Sequence, residues 1–130
     1  MDVTGVDFVL VPTQDFERAK QFYGETLGLE RSKQWGEMPG QEYETGNLTL
    51  AVWQPDAFGR GFSPNANPIA LQVPDVAAAR AELEANGVEF AADTLDSGVC
   101  HMAFFSDPDG NGLMLHHRYA PKDAAPPSGT

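Results

Sequence analysis

The chain repeats its own pattern at a spacing close to half its length. Residues 7–15 (DFVLVPTQD) lead into a helical pattern that ends at Gly28, and residues 67–75 (NPIALQVPD) lead into a second one that ends at Gly87. A repeat of this length indicates two copies of one supersecondary module. In each copy the closing aspartate is suited to cap the helix that follows. Because two such modules can enclose a cavity, the repeat bears on function as well as on fold.

Hydrophobic periodicity and turn residues divide each module into a strand, a helix and further strands. In the first module the pattern predicts a helix after Asp15 and strands over 6–11, 30–35, 41–45 and 47–53. In the second module it predicts a helix after Asp75 and strands over 69–73, 88–91, 99–105 and 113–118. The predicted organisation is a first module over 1–54, a linker over 55–67, a second module over 68–119 and a disordered tail over 120–130.

Charge and cysteine content restrict the class of partner. The net charge is −11, from 19 acidic and 8 basic residues. We therefore expect no nucleic-acid partner, because binding nucleic acid requires a basic face. No apolar run is long enough to span a bilayer, so we expect no membrane partner. The single cysteine, Cys100, excludes an internal disulfide and is typical of a reducing compartment, which predicts a cytoplasmic protein.

Two motifs carry a resemblance to a known family. The first is DxxxAxxFYxxxLG over residues 15–28, and the second is FSDPDGN over residues 105–111. With both motifs at this separation, the chain resembles the vicinal oxygen chelate superfamily of glyoxalase I, bleomycin-resistance proteins and extradiol dioxygenases. The resemblance covers roughly residues 5–118. It implies an α+β fold of two βαβββ modules, with strands curled around a cavity and helices outside, and it implies a homodimer.

The resemblance also implies where the enzymes of this superfamily hold a divalent metal. Their His, Glu or Gln ligands lie on the first and fourth strands of each module. In this chain those positions fall on Phe8, Pro68 and Met114 and near residues 49–51. Phenylalanine and proline cannot ligate a metal, and methionine is a poor ligand for hard cations. We therefore expect no metal at the usual positions and no cofactor, which leaves open whether the chain is an enzyme.

The histidines form the first candidate site. All three lie near the end of the chain, as His101, His116 and His117. Because side chains alternate along a strand, Met114 and His116 share one face and His117 points the other way, whereas the face of His101 depends on the hairpin register. His101 and His116 are candidates for acid–base catalysis or, with Asp7 or Glu42 as a third ligand, for a relocated metal site. The alternative is that they are ordinary hydrogen-bonded strand histidines near a dimer interface.

Aromatic side chains form the second candidate site. In the first module and its linker, six of them lie outside the predicted helix: Phe8, Trp35, Tyr43, Trp53, Phe58 and Phe62. A cavity lined by such rings suits a flat or cationic organic molecule, although ordinary core packing explains most of the six. We select Trp35 and Trp53 as lining residues. The full set of expected ligand-binding residues is Phe8, Trp35, Trp53, Met114 and His116.

Three functions are compatible with these features. The first is metal-free binding or sequestration of a small, cationic aromatic organic molecule. The second is a metal-dependent lyase, isomerase or dioxygenase that uses a divalent metal on relocated histidine ligands. The third is an interaction module with no small ligand. The missing metal ligands, the aromatic first module and the acidic charge favour the first.

Overall fold

The computed structural model describes residues 1–122 and divides them into two compact units. Unit 1 comprises residues 1–65 together with the turn 107–111, and unit 2 comprises residues 66–106 and those from 112 onward. Each unit has a four-stranded sheet and a helix between its first and second strands, which confirms an α+β fold of two βαβββ modules. The predicted tail lies outside the described residues from position 123 onward. Among the helices described, none is long and apolar enough for a bilayer crossing.

Unit 1 follows the predicted order of elements. These are β1 (Val9–Pro12), α1 (Phe16–Gln21), a π-helical turn (Phe22–Thr26), β2 (Glu30–Gln34), β3 (Gly40–Glu44), β4 (Thr49–Trp53) and a 3-10 turn (Pro55–Phe58). The sheet order is β1-β4-β3-β2, and β1 is parallel to β4 whereas the other pairs are antiparallel. Asp15 caps α1, because its carboxylate accepts from the backbone N–H of Arg18 at 3.1 Å.

Unit 2 repeats this order with one correction. Its elements are β5 (Ile69–Gln72), α2 (Val76–Ala85), β6 (Leu95–Asp96), β7 (Cys100–Ser106) and β8 (Gly112–Arg118), in the sheet order β5-β8-β7-β6. The strand predicted over 88–91 is wrong, since Phe90 makes only an isolated bridge to Phe105. Its ring packs on the Phe105 ring at 5.1 Å and under the Arg80 guanidinium at 4.6 Å. The apolar pattern at 88–91 therefore reflects side-chain packing rather than a strand.

The helices of the two units differ by one residue. The first module has one residue more between its capping aspartate and its terminal glycine, Asp15 to Gly28 against Asp75 to Gly87. The π-helical turn accommodates this residue, and there the Leu27 N–H donates to the Phe22 carbonyl at 2.8 Å. Both glycines have positive φ, 71° and 90°, which favours glycine at the end of a helix.

The Asp107–Asn111 turn is anchored in unit 1 by a buried carboxylate. The Tyr23 hydroxyl donates to Asp107 Oδ2 at 2.6 Å, and the Asn111 side-chain amide donates to the same oxygen at 2.7 Å. Asn111 also donates to the Pro12 carbonyl at 2.7 Å. Burial of the phenol is the main cause that raises the pKa of Tyr23, and the negative charge of Asp107 raises it further. The second motif of the family resemblance thus has a structural role in this chain.

A second carboxylate of the same turn contacts the start of α1. Asp109 accepts from the Thr13 hydroxyl at 2.6 Å, from the Gln14 N–H at 2.9 Å and from Arg18 Nη2 at 3.0 Å. Its side chain is fully shielded from solvent, whereas that of Arg18 is 47% exposed. The turn is therefore held by charge-assisted hydrogen bonds at both of its aspartates.

Each sheet has a face that packs on the helix of its unit and an opposite face, which we call its open face. The helix-packed faces carry the buried residues Val11, Tyr43, Leu50 and Val52 in unit 1 and Ala103, Phe105, Leu113 and Leu115 in unit 2. By alternation, the sheet 1 open face carries Leu10, Gly40, Glu42, Glu44, Thr49, Ala51 and Trp53. The sheet 2 open face carries Ala70, Gln72, Leu95, Cys100, Met102, Phe104, Met114, His116 and Arg118.

Candidate functional site

Four aromatic rings form a continuous row on the sheet 1 open face. The Phe8 and Trp35 ring centroids are 6.1 Å apart, those of Trp35 and Phe58 6.2 Å, and those of Phe58 and Trp53 5.4 Å. We call these four residues the aromatic row. Phe8 at one end of the row and Phe58 between the two tryptophans remain accessible, since they are 42% and 37% exposed. The structure thus brings together three of the predicted ligand-binding residues and adds Phe58.

Gly40 allows Trp35 to join the row. The backbone N–H of Trp35 donates to the Gly40 carbonyl at 2.9 Å, which closes the hairpin between β2 and β3. The indole then lies directly on Gly40, and a methyl group at that position would overlap the ring. Gly40 is the register partner of Trp53, so the absence of a side chain there lets an indole from the hairpin approach the sheet.

A carboxylate lies beside the aromatic row. The Trp35 indole Nε1 donates to Glu42 Oε2 at 2.8 Å, which fixes the orientation of both side chains. Among the hydrogen bonds within residues 1–122, none reaches the second carboxylate oxygen, Oε1. Glu42 therefore offers one acceptor oxygen next to four aromatic rings.

The same face is where the family resemblance implies two metal ligands. Phe8 belongs to the aromatic row, and Ala51 is a buried methyl group between Leu10 and Glu42 in the strand register. Glu42 is the nearest carboxylate in that register, and it already accepts from an indole. The residues of unit 1 therefore do not fit the hard divalent metal that the resemblance implies.

The second carboxylate of this face is also bound to protein donors. Glu44 accepts from the Ser32 hydroxyl and from the Thr49 hydroxyl, the latter at 2.6 Å. These two hydrogen bonds hold the pKa of Glu44 below its usual range. Within residues 1–122, no three His, Cys, Asp or Glu side chains come together in a way that could hold a metal ion.

The strand register of unit 2 separates the candidate histidines. Met114 and His116 share the sheet 2 open face, whereas His101 lies opposite His117 on the other face. The His101 and His116 imidazoles therefore do not converge on one ion or one substrate atom. The two candidates for the third ligand of the predicted relocated metal site, Asp7 and Glu42, belong to unit 1. Asp7 is exposed, and Glu42 accepts from the Trp35 indole.

His101 instead belongs to a small cluster at the end of sheet 2. Its Nε2 lies 3.4 Å from Asp96 Oδ2, and its ring packs on Tyr119 with centroids 4.8 Å apart. The Tyr119 hydroxyl donates to Asp96 Oδ1 at 2.7 Å. This hydrogen bond lowers the pKa of Asp96 and raises that of Tyr119. The cluster ties the end of β8 to β6 and β7.

The sequence pattern alone does not single out two residues that shape these faces. Gly40 is one, because its contact with Trp35 is tertiary. Met102 is the other, and the register places it directly opposite His116. The position of Met102 could have been predicted from the tight turn at 107–111. This turn pairs Ser106 with Gly112, and so it fixes the register of the β7–β8 hairpin and places Met102 opposite His116.

The sequence is similar to those of known proteins. The family model described as Glyoxalase/Bleomycin resistance protein/Dioxygenase superfamily matches residues 5–115. A lactoylglutathione lyase from Pseudomonas aeruginosa is 36% identical over 101 residues, which are 77% of this chain and 49% of that protein. The chain thus spans about half the length of this curated relative.

Solved structures share the fold. A superfamily member from Sphaerobacter thermophilus is 26% identical with a TM-score of 0.76, and the match covers 89% of this chain and 98% of that one. The lactoylglutathione lyase from Agrobacterium tumefaciens matches with a TM-score of 0.74 at 15% identity, over 89% of this chain and 95% of that one. At that identity the likeness concerns the fold alone. The chain belongs to the Glyoxalase/Bleomycin resistance protein/Dioxygenase superfamily.

Proposed function

We propose that this protein binds and sequesters a small, flat organic molecule on the aromatic row, without a metal. The observation that carries the proposal is the continuous contact of Phe8, Trp35, Phe58 and Trp53 on the sheet 1 open face. Neighbouring rings are inclined to one another by 53–84°, so both ring faces and ring edges occur along the row. Such an arrangement suits stacking on an aromatic molecule.

The electrostatics of the site favour a cationic ligand. Glu42 is held in place by the Trp35 indole and keeps Oε1 available to a ligand donor. The aromatic faces attract a cation through their quadrupoles, and the net charge of −11 attracts it at longer range. A flat cation would use both features, so we propose a cationic aromatic molecule as the ligand class. The homodimer and the cytoplasmic location remain predictions.

Tryptophan fluorescence tests this proposal directly. The chain has two tryptophans, and both belong to the aromatic row, so the emission reports on this face. The probes are N-methylacridinium and neutral acridine, which share one ring system and differ in charge. We expect saturable quenching with one probe per chain and tighter binding of the cation. Phe58→Ala should weaken both by roughly two- to tenfold, since one aromatic contact contributes about 0.5–1.5 kcal/mol.

Two variants separate the contributions of the rings and the charge. Glu42→Gln keeps the shape of the side chain and should reduce the preference for the cation, while leaving acridine binding unchanged. Phe90→Leu changes an aromatic residue of unit 2 that packs on Phe105, and it should leave both affinities unchanged. Absence of saturable quenching, or equal binding by the Phe58→Ala protein, would contradict the proposal and favour an interaction module with no small ligand.

The second candidate function is a metal-dependent lyase, isomerase or dioxygenase. The likeness to the Pseudomonas aeruginosa lactoylglutathione lyase favours it. Against it stand the aromatic and aliphatic side chains at the implied ligand positions of unit 1, and the separation of His101 from His116 by the register of unit 2.

Elemental analysis distinguishes this candidate from metal-free binding. The untagged protein is incubated with Ni(II), Zn(II), Mn(II) or Fe(II) and then desalted. One retained ion per chain that is lost in His116→Ala would favour the enzyme. Retention of none would leave the binding protein as the better account.

A further inference from the structure

The sheet 2 open face brings two thioethers and one imidazole together. Met102 on β7 is the direct register partner of His116 on β8. Met114 precedes His116 by two residues on the same strand, so its side chain leaves the same face. All three residues are partly exposed. The three side chains therefore share one accessible patch, which we call the Met–Met–His patch.

The spacing of the patch allows its side chains to meet. Directly opposed residues of antiparallel strands have Cβ atoms about 4.5–5.5 Å apart. Residues two apart on one strand are separated by roughly 7 Å. Methionine has three rotatable side-chain bonds, so each sulfur can turn toward the imidazole without movement of the backbone.

We propose that Met102, Met114 and His116 form a binding site for a soft monovalent cation, Cu(I). Thioether sulfur is a soft ligand that selects Cu(I), and imidazole suits copper as well. The other side chains of this open face include Ala70, Gln72, Leu95 and Phe104, with the buried Cys100 and the exposed Arg118 opposite each other at one end. None of them is a carboxylate for a hard divalent ion. Neutral donors on a largely apolar face match a cation of low charge. The proposal concerns unit 2 and does not depend on the aromatic row.

The patch includes one of the positions at which the family resemblance implies a metal ligand. Met114 occupies a position at which the resemblance implies a ligand to a hard divalent metal. The structure adds a second thioether, Met102, opposite the neighbouring His116. The donors that β7 and β8 place on this face are thus thioethers and an imidazole rather than carboxylates.

Cys100 is a competing soft donor that the test must separate. It precedes Met102 by two residues on β7 and therefore shares its face, but it is buried with 5% exposure. A free thiol binds Cu(I) by itself. The measurements are therefore made in the Cys100→Ala protein as well as in the unaltered chain.

The experiment is a competition titration for Cu(I) against bicinchoninate under anaerobic, reducing conditions. We expect one Cu(I) per chain, with and without Cys100. Met102→Leu, Met114→Leu and His116→Ala should each lower the affinity by about tenfold or more. Met38→Leu is the matched control, because it removes an exposed methionine of unit 1 and should leave the affinity unchanged. Zn(II) should not compete.

Two results would overturn the proposal. One is Cu(I) binding that the Met102→Leu and Met114→Leu changes leave intact. The other is binding that disappears in the Cys100→Ala protein alone. Leucine approximates the volume of methionine, so both leucine variants are expected to fold. Ag(I) titration followed by the methionine methyl resonances gives an independent measurement, in which the Met102 and Met114 signals should shift and that of Met38 should not.

Discussion

The two modules of this chain share a scaffold and differ in what their open faces present. In both, an edge strand pairs in parallel with the last strand of its module, and an aspartate caps the helix. The sheet 1 open face carries an aromatic row and a carboxylate, whereas the sheet 2 open face carries two methionines and a histidine. The helix-packed faces preserve the fold, so the open faces are where one module can acquire chemistry that the other lacks.

The modules also differ in how their helices are anchored. Tyr23 in unit 1 and Leu83 in unit 2 each stand eight residues after the capping aspartate, and both are buried. Tyr23 donates to the buried Asp107, whereas Leu83 packs by apolar contact alone. The polar anchor depends on the hydrogen-bond geometry between Tyr23 and Asp107, whereas the apolar anchor depends on how well the Leu83 side chain fills its space. Substitutions that act on one or the other can separate the two modes.

The largest expected effect is that of Asp107→Ala in unit 1. The change leaves the buried Tyr23 hydroxyl and the Asn111 backbone N–H without their acceptor, and it removes one of the two acceptors of the Asn111 side-chain amide. Each unpaired buried group costs about 1–3 kcal/mol, so we expect the free energy of unfolding in urea to fall by about 3–5 kcal/mol. Asp109→Ala is the control and should cost about half as much, because water can reach Arg18. A loss below about 1 kcal/mol for Asp107→Ala would contradict the polar anchor.

A matched pair of substitutions compares the two helix anchors themselves. Leu83→Ala should lower the free energy of unfolding by about 2–4 kcal/mol, because it leaves a cavity in an apolar contact. Tyr23→Phe keeps the ring and removes one hydrogen bond to Asp107, so the expected loss is about 1–2 kcal/mol. Both are measured by urea unfolding at one protein concentration. If Tyr23→Phe were as costly as Leu83→Ala, the hydroxyl rather than the ring would hold the first helix.

The order of elements could be predicted from the sequence because its signals are local. These signals are the alternation of apolar residues, the capping aspartates and the terminal glycines, and each depends only on neighbouring residues. They correctly predict both helices and seven of the eight strands. The eighth strand was misplaced because the apolar residue Phe90 packs on Phe105 and Arg80 instead of entering a ladder. The π-helical turn was encoded in one extra residue between Asp15 and Gly28, a difference that is visible only when the two modules are compared.

The candidate sites could be predicted only in part. The resemblance and strand alternation point to Trp35, Trp53 and the shared face of Met114 and His116. The contacts of Phe58 with both tryptophans are tertiary contacts, and so is the packing of Trp35 on Gly40. Periodicity within one segment carries no information on such contacts. The position of His101 depends on a hairpin register that alternation alone does not set.

Gly40→Ala should disturb the aromatic row, which is the feature that distinguishes the sheet 1 open face from that of sheet 2. The added methyl group overlaps the Trp35 indole, so the ring must leave its position beside Glu42. We expect a stability loss of about 1–3 kcal/mol and a red shift of tryptophan emission. The control is Gly61→Ala, whose added methyl group meets nothing within 4 Å. An unchanged emission spectrum in Gly40→Ala would show that Trp35 does not rest on Gly40.

The smallest expected effects concern one carboxylate in each module. Hydrogen bonds from Ser32 and Thr49 lower the pKa of Glu44 from 4.5, and those from Tyr119 and the Gly98 N–H lower that of Asp96 from 3.8. A lowered pKa in the folded state stabilises the fold above the ordinary pKa, and this stabilisation is lost as pH falls through the folded value.

The two carboxylates should respond differently when their side-chain donors are removed. Ser32→Ala with Thr49→Val removes both hydroxyls that Glu44 accepts from, so its pKa should return close to 4.5 in a carboxyl carbon NMR titration. Tyr119→Phe leaves the Gly98 N–H on Asp96 at 2.8 Å, so that pKa should rise only part of the way to 3.8. A full return of Asp96 would mean that neither the Gly98 N–H nor His101 lowers its pKa. An unmoved Glu44 would mean that neither hydroxyl binds it in solution, and the sheet 1 open face would then hold a second available acceptor beside Glu42.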